Sequence, residues 1–463
     1  MRRETHPLIS SQSHTTVSRN IKKSKYFLIG FLLSTLLAFI AFGLAQAIWI
    51  GYDATFKNEC ANSSTSDIMN TTTDITPTST IPTTSTISPI QKCGRRIIAY
   101  HNVRSLETLT EKRISNLTHL ILLTSLEIKN DSISFRIERE QTKLPSIVEV
   151  ARKIPGLRIM FSIDGMVDYF HSNNIEYPEN RTHLQNEIAA FMLQYQLDGI
   201  DLDCRGLFRL RDEDRKRYIL PFCRELRARL SQIMEHRYII SAKLDPIDVR
   251  TEFGTADVDF VTVATVKLFG PRSPWRELIG PSSPLYSNLS SHPNNSVDRI
   301  MRKFSCWTKQ PNKLNMMVDF SVGYWNNVKA PKNPSDTLWL TANISSNGVV
   351  DGGWYSLPAE LPPNATISTP SLSYFAVELW NDDSKTPYHW YPHGRYVTFE
   401  NERSLQIKVQ YAIQKNIGGI AVMNLFDDAE NGGKVNILSS DEFCSKNDNA
   451  EVKYNCYRGG YSE

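Results

Sequence analysis

Asp198-Gly199-Ile200-Asp201-Leu202-Asp203-Cys204-Arg205 is the stretch on which the reading of this chain turns. A strand alternates its side chains between two faces, so Asp201, Asp203 and Arg205 share one of them. Carboxylates buried on that face need partners, because unpaired charge in a low dielectric is costly. A carboxyl group at the third of these positions could donate a proton. The guanidinium of Arg205 cannot, since it stays charged at any useful pH.

Outward from this strand, short apolar runs alternate with longer amphipathic ones. The runs predict strands at Ile97–Tyr100, His119–Ser125, Arg158–Ile163, Gly199–Asp203, Tyr238–Lys243, Phe260–Val266, Leu314–Phe320 and Gly419–Leu425. Segments such as Thr182–Tyr195, Asp212–Met234 and Ser404–Lys415 carry helical patterning. Strands spaced by helices predict a parallel α/β sheet covered on both faces, and eight such units predict a TIM (β/α)8 barrel. An open doubly wound sheet is the competing arrangement, but no Gly-x-Gly-x-x-Gly follows the first strand. About 325–398 is too long for a loop and is rich in Pro, Gly and aromatic residues. It predicts a small α+β insertion between strand 7 and its helix.

The chain has 463 residues, 41% of them hydrophobic and 22% charged, which supplies a large core and excludes global disorder. A formal net charge of +3 gives no concentrated basic footprint, so nucleic acid is not an expected partner. Residues 26–50 form an uncharged apolar run preceded by Arg2, Arg3, Arg19, Lys22, Lys23 and Lys25. That pattern predicts a transmembrane signal-anchor with a cytoplasmic tail over 1–25, hence a single-pass type II membrane protein whose C-terminal domain is extracellular or luminal. Secretion after cleavage of a signal peptide is the alternative. A Ser/Thr/Pro-rich stalk is expected over 51–93, the barrel over 94–445 and a C-terminal tail over 446–463. Sequons at Asn62, Asn70, Asn116, Asn130, Asn180, Asn288, Asn294, Asn343 and Asn364 suit the same orientation. The seven cysteines have no close metal-ligand spacing. Cys444–Cys456 and Cys60–Cys93 are plausible bridges, with Cys204 buried and free. No cofactor motif and no metal site is expected.

The order of elements over about 94–442 resembles glycoside hydrolase family 18, the chitinase and chitinase-like family. Its fourth strand carries Asp-x-x-Asp-x-Asp-x-Glu; here Asp198, Asp201 and Asp203 match and Arg205 takes the glutamate position. Phe161-Ser162-Ile163-Asp164-Gly165 resembles the family's Ser-x-Gly-Gly, with Asp164 for the first glycine. Phe399 to Lys408 resembles the entry to the last helix, and Gly418-Gly419 the opening of strand 8. The resemblance implies cleavage of N-acetylglucosamine polymers by a substrate-assisted route, in which the glutamate protonates the leaving oxygen and the preceding Asp orients the acetamido group. It also implies Met-x-Tyr-Asp after strand 6, where this chain has Ala264-Thr265-Val266-Lys267, and a tryptophan where Met423 stands. The chain is thus identified as a catalytically degenerate, chitinase-like member resembling the membrane-anchored nematode type.

The degenerate site comprises Asp198, Asp201, Asp203, Arg205, Val266, Lys267 and Met423. Arg205 and Lys267 are expected to meet Asp201 and Asp203, either as internal pairing or as a site for a polar or anionic ligand. Trp325, Trp354, Tyr355 and Trp380 are candidates for glycan stacking, against a role in the insertion's own core. Asp427, Asp428 and Glu430, after the last strand, read as a solvated charge run, against a role lining the barrel mouth. Three functions stay open: an inactive protein that binds chitin or another N-acetylglucosamine glycan, a protein-interaction scaffold, and an active hydrolase with a displaced acid such as Glu378.

Overall fold

Eight fully parallel strands close into a barrel: β1 (Arg96–Asn102), β2 (His119–Leu123), β3 (Arg158–Ile163), β4 (Gly199–Asp203), β5 (Ile239–Leu244), β6 (Phe260–Val263), β7 (Leu314–Asp319) and β8 (Gly419–Met423). Neighbours in sequence are neighbours in space, and β8 returns to β1 with Gly419 opposite Arg96. The computed structural model describes residues 93–445 and Cys456, apart from 106–108, 130–131, 165–176, 207–211, 215–216, 218, 234–237, 248–256, 271–276, 288–294, 334–336, 346–349, 356–377 and 393.

Helices Glu138–Arg152, Pro178–Gln194, Leu220–Ile233, Val297–Thr308 and Glu402–Gln414 alternate with the strands. Leu220–Ile233 buries Phe222, Cys223, Leu226 and Leu230, an i, i+4, i+8 stripe against the sheet. Glu402–Gln414 starts at a reciprocal cap between Asn401 and Ser404. Inside the barrel a separate apolar cluster, with Ile98, Tyr100, Ile121, Met160, Phe260 and Met317, fills the space between strands. The barrel is a packed core, not a pore.

β6 ends three residues earlier than its apolar run suggests. Thr265 replaces backbone pairing there: its Oγ1 accepts from Met317 N at 2.9 Å and donates to Met317 O at 2.7 Å. Lys267 then turns out of the sheet in the left-handed region, φ 54°.

The insertion after β7 is a five-stranded antiparallel sheet in the order Gly352–Tyr355, Val322–Trp325, Arg395–Thr398, Thr386–Tyr391, Leu379–Asn381. Its described residues contain no helix, so the α+β expectation becomes an all-strand one, with 356–377 outside the described residues. Trp325, Tyr388 and Tyr396 pack its core. Leu340–Thr341 pairs with Leu278–Ile279 and ties the insertion to the loop after β6.

The outline is corrected at its N-terminal side. No transmembrane helix or stalk forms part of the described fold: 26–50 and 51–92 lie outside the described residues, and among those described no helix is long and apolar enough to cross a membrane. The membrane anchor, the type II orientation and the membrane-anchored type are therefore not carried forward. The disulfides are corrected as well. Cys93 bonds Cys444 and Cys306 bonds Cys456, while Cys204 and Cys223 are buried thiols outside any disulfide. Cys60 lies outside the described residues. Among the sequons, Asn116 and Asn343 are exposed and Asn180 is half-buried; Asn62, Asn70, Asn130, Asn288, Asn294 and Asn364 lie outside the described residues.

Candidate functional site

Register fixes what meets the acidic row of β4. Asp201 lies opposite Ser162 of β3 and Ser241 of β5, and Asp203 lies opposite Lys243. Asp201 is fully buried and accepts from Ser162 Oγ at 3.1 Å and from Ser241 Oγ at 2.6 Å. Asp203 receives Lys243 Nζ on Oδ2 at 2.8 Å. Arg205 folds back over it, Nε on Oδ1 at 2.9 Å and Nη2 on Oδ2 at 2.8 Å, a bidentate fork. The Lys243 ammonium also stands 4.7 Å above the Tyr100 ring centre.

These partners split the two carboxyls. Burial raises the Asp201 carboxyl above its ordinary range, with Lys243 and the two serines opposing. Burial pushes Asp203 upward too, but Lys243 and Arg205 outweigh it and hold the group at about 2. Asp203 is therefore a fixed anion at neutral pH. The Asp203 hydrogen bond in turn raises the Arg205 guanidinium above its usual value. Burial, with the nearby charge of Asp201 and Asp203, keeps the Tyr100 phenol well above its ordinary range.

Lys267 does not join this cluster. Its Nζ lies 3.2 Å from Asp319 Oδ2 at the end of β7 and 4.8 Å above the Trp354 ring. Val266 and Met423 do converge, both half-buried against the barrel-interior cluster that holds Tyr100 and Met317. Asp198 stands at the opposite end of the strand. Its Oδ2 accepts from Ile159 N at 2.7 Å and from Arg152 Nη1 at 2.8 Å, so it fastens the foot of the barrel.

The aromatic candidates are dispersed. Trp325 is fully buried, edge-on to Tyr396. Trp354 is half-buried and lies across Gly323 and Gly270, where a Cβ would come within 2.6 and 3.0 Å of its ring. Tyr355 ends the same strand, opposite Val322. Trp380 is half-buried, with the Arg403 guanidinium 3.8 Å over its ring and its Nε1 on Asp382 Oδ1 at 2.9 Å. Glu378 accepts from Asn401 Nδ2 at 2.8 Å. Asp428 is not solvated: fully buried, it accepts from the amides of Ala429, Lys434 and Val435. Asp427 is buried as well, and Glu430 is exposed.

Sequence reasoning missed Lys243, Tyr100 and Asp319. The signal for Lys243 was present, since Ser241 and Lys243 alternate in phase along an otherwise apolar run. Asp164 was noted only as a departure from a motif. It follows β3 beside the tip of β4, and burial, with the Asp203 charge adding, raises its carboxyl. Among the described residues no group of His, Cys, Asp and Glu side chains could hold a metal ion.

Known proteins share this architecture. Chitinase B of Serratia marcescens is 24% identical over 342 residues, 60% of this chain and 66% of that protein, so the chain spans just under two thirds of its length. A chitinase-like effector of Moniliophthora perniciosa is 22% identical over 346 residues, 65% of this chain and 76% of its own. The structure of a glycoside hydrolase family 18 N-acetylglucosaminidase from Paenibacillus barengoltzii superposes with a TM-score of 0.61 at 20% identity, covering 74% of this chain and 99% of that one. Likeness at such identities establishes the fold. The model of glycosyl hydrolases family 18 matches residues 96–428, from the first residue of β1 to the buried aspartate beyond β8, and the chain belongs to that family.

Proposed function

We propose that this chain is a catalytically silent family 18 barrel that recognises chitin or another N-acetylglucosamine glycan without cleaving it. The observation that carries the reading is the fork of Arg205 on Asp203. It puts a permanent cation where a proton donor is needed and leaves Asp203 paired by Arg205 on one side and Lys243 on the other. Loss of general acid catalysis alone removes about 10²- to 10⁴-fold in rate, or roughly 3–5 kcal/mol. A cation beside an oxocarbenium-like transition state adds to that barrier. Trp354 and Trp380, half-buried, are the rings proposed to keep contact with sugar.

Retention on chito-oligosaccharide beads together with no release from a chromogenic chitobioside is the expected result. Arg205→Glu is expected to stay inactive, because Lys243 still occupies Asp203 and Lys267, Val266 and Met423 are unchanged. Turnover by the unmodified chain would refute the reading. Absence from the beads would leave a protein-interaction scaffold instead.

One observation favours a second reading, hydrolysis with a displaced acid. Asp164 lies next to the β4 tip, and partial desolvation, with the Asp203 charge adding, raises its carboxyl, as a proton donor requires. If chitobioside is cleaved, Asp164→Asn should abolish the activity, whereas Glu378→Gln should not.

A further inference from the structure

The foot of the barrel, opposite Asp203, holds a cavity of about 280 Å³ lined by Arg96, His119, Tyr238, Ile239, Asp259 and Phe260. Four of these open strands and the other two immediately precede them, so the barrel itself positions the site. Arg96 is its distinctive group. Nε donates to Asn315 Oδ1 at 2.8 Å and Nη2 to Asn312 O at 2.6 Å, both neutral oxygens. Two of the five guanidinium donors are thereby used. No carboxylate among the described residues comes within ion-pair distance of it.

The surrounding charges do not answer this cation. Asp259 is occupied, its Oδ2 accepting from Arg227 Nη2 at 2.5 Å and from Ile240 N at 2.9 Å. Asp198 faces two guanidiniums, Arg152 at 2.8 Å and Arg158 at 3.8 Å. Arg96 is half-buried, and desolvation weakens its hold on its proton, to about 10, with Asp259 offsetting this only in part. An anion in the cavity would relieve that desolvation. Phe260 supports the cation from beneath: it is 2% exposed, the guanidinium lies 5.0 Å over its ring and His119 meets that ring edge-on at 5.2 Å, so half-buried Ile239 supplies the apolar wall.

We propose that this cavity binds a small organic monocarboxylate, its carboxylate on Arg96 and its apolar body against Ile239. The planar fork matches a carboxylate. Asp259 in the same wall disfavours a dianion such as phosphate. This site is independent of the glycan reading, since it shares no residue with the β4 tip.

The test is calorimetric titration of the full chain with benzoate, inorganic phosphate and benzamide. Benzoate is expected to bind saturably at one site, phosphate more weakly, and benzamide, which lacks the charge, not at all. Arg96→Gln should weaken benzoate about tenfold or more, the scale of one charge-assisted hydrogen bond. Arg205→Ala, at the other end of the barrel, should leave it unchanged. Because Arg96→Gln could also loosen β1 from β7, Phe260→Leu serves as a second variant, expected to weaken benzoate while Asn315 keeps its guanidinium partner. No saturable benzoate binding, equal affinity in either cavity variant, loss in Arg205→Ala, or tighter binding of phosphate or benzamide would each overturn the proposal.

Discussion

Three single substitutions around Asp203 should rank in a fixed order of stability loss. Lys243 and Asp203 are 2% and 7% exposed, so they form a buried pair, and removing one member of such a pair costs about 3–5 kcal/mol. Lys243→Met leaves Asp203 still forked by Arg205, which places it near the lower end, about 3 kcal/mol. Asp203→Asn strands the buried lysine beneath Arg205 and belongs near the upper end, about 5 kcal/mol. Arg205 is 45% exposed, so Arg205→Ala loses a largely solvated contact, about 1 kcal/mol or less. Lowering the Asp203 carboxyl from 3.8 to about 2 corresponds to about 2 kcal/mol of net preference for the ionised form, less than the loss expected on breaking the pair because burial opposes ionisation. Urea unfolding at pH 7, followed by tryptophan fluorescence and circular dichroism, gives the three losses directly. If Arg205→Ala costs as much as Lys243→Met, or if Asp203→Asn is the mildest of the three, the buried-pair account is wrong.

Acid should expose the same carboxyl. Its folded value lies below its ordinary 3.8, so its contribution is complete above 3.8 and is lost as pH falls toward about 2. Asp201, raised by burial, acts oppositely and is relieved by protonation, so between pH 5 and 2 the unmodified chain should lose more stability than Asp203→Asn, in which only the opposing contribution remains. Gly199→Ala would set a Cβ 2.4 Å from Ile239 O on the adjoining strand and should cost about 1–3 kcal/mol in a thermal or urea midpoint. Replacing Cys93 and Cys444 by serine opens a closure across 351 residues and should cost about 3–5 kcal/mol, read from midpoints with and without reductant. Burial raises the Cys223 thiol to about 12, so maleimide labelling mapped by mass spectrometry should find it unmodified until the chain unfolds.

The barrel was legible because strands buried on both faces write themselves as apolar runs, as β3 and β7 do to within a residue, while β4 was marked by its alternating aspartates. What the runs did not carry was decided by contacts between distant segments. Thr265 ends β6 through a hydroxyl that meets β7 some fifty residues on, which no local pattern encodes. Cys93 finds Cys444 only once the ring of strands has closed, whereas counting along the chain favoured the near neighbour Cys456. The charges at the β4 tip were readable as a problem but not as a solution. Alternation placed Asp203 and Arg205 together correctly. The resemblance at strand 6 brought Lys267 to them as well, although Asp319 holds it, and the reading passed over Lys243, whose register opposite Asp203 requires the strand pairing to be known. Asp428 looked like a surface charge until three amides of the following turn were seen to converge on it.

The bond between Cys93 and Cys444 brings two points 351 residues apart to a Cα separation of 4.1 Å. Between them runs the whole circuit of eight strands, so this stretch of polypeptide is topologically a loop with a seam. A peptide joining the two positions could take over the work of the sulfurs, and the backbone could then be cut at an exposed connection elsewhere. Such a rearranged chain, starting for instance between strands, would keep every neighbour relation of the barrel while changing which pair of strands is made first and which last.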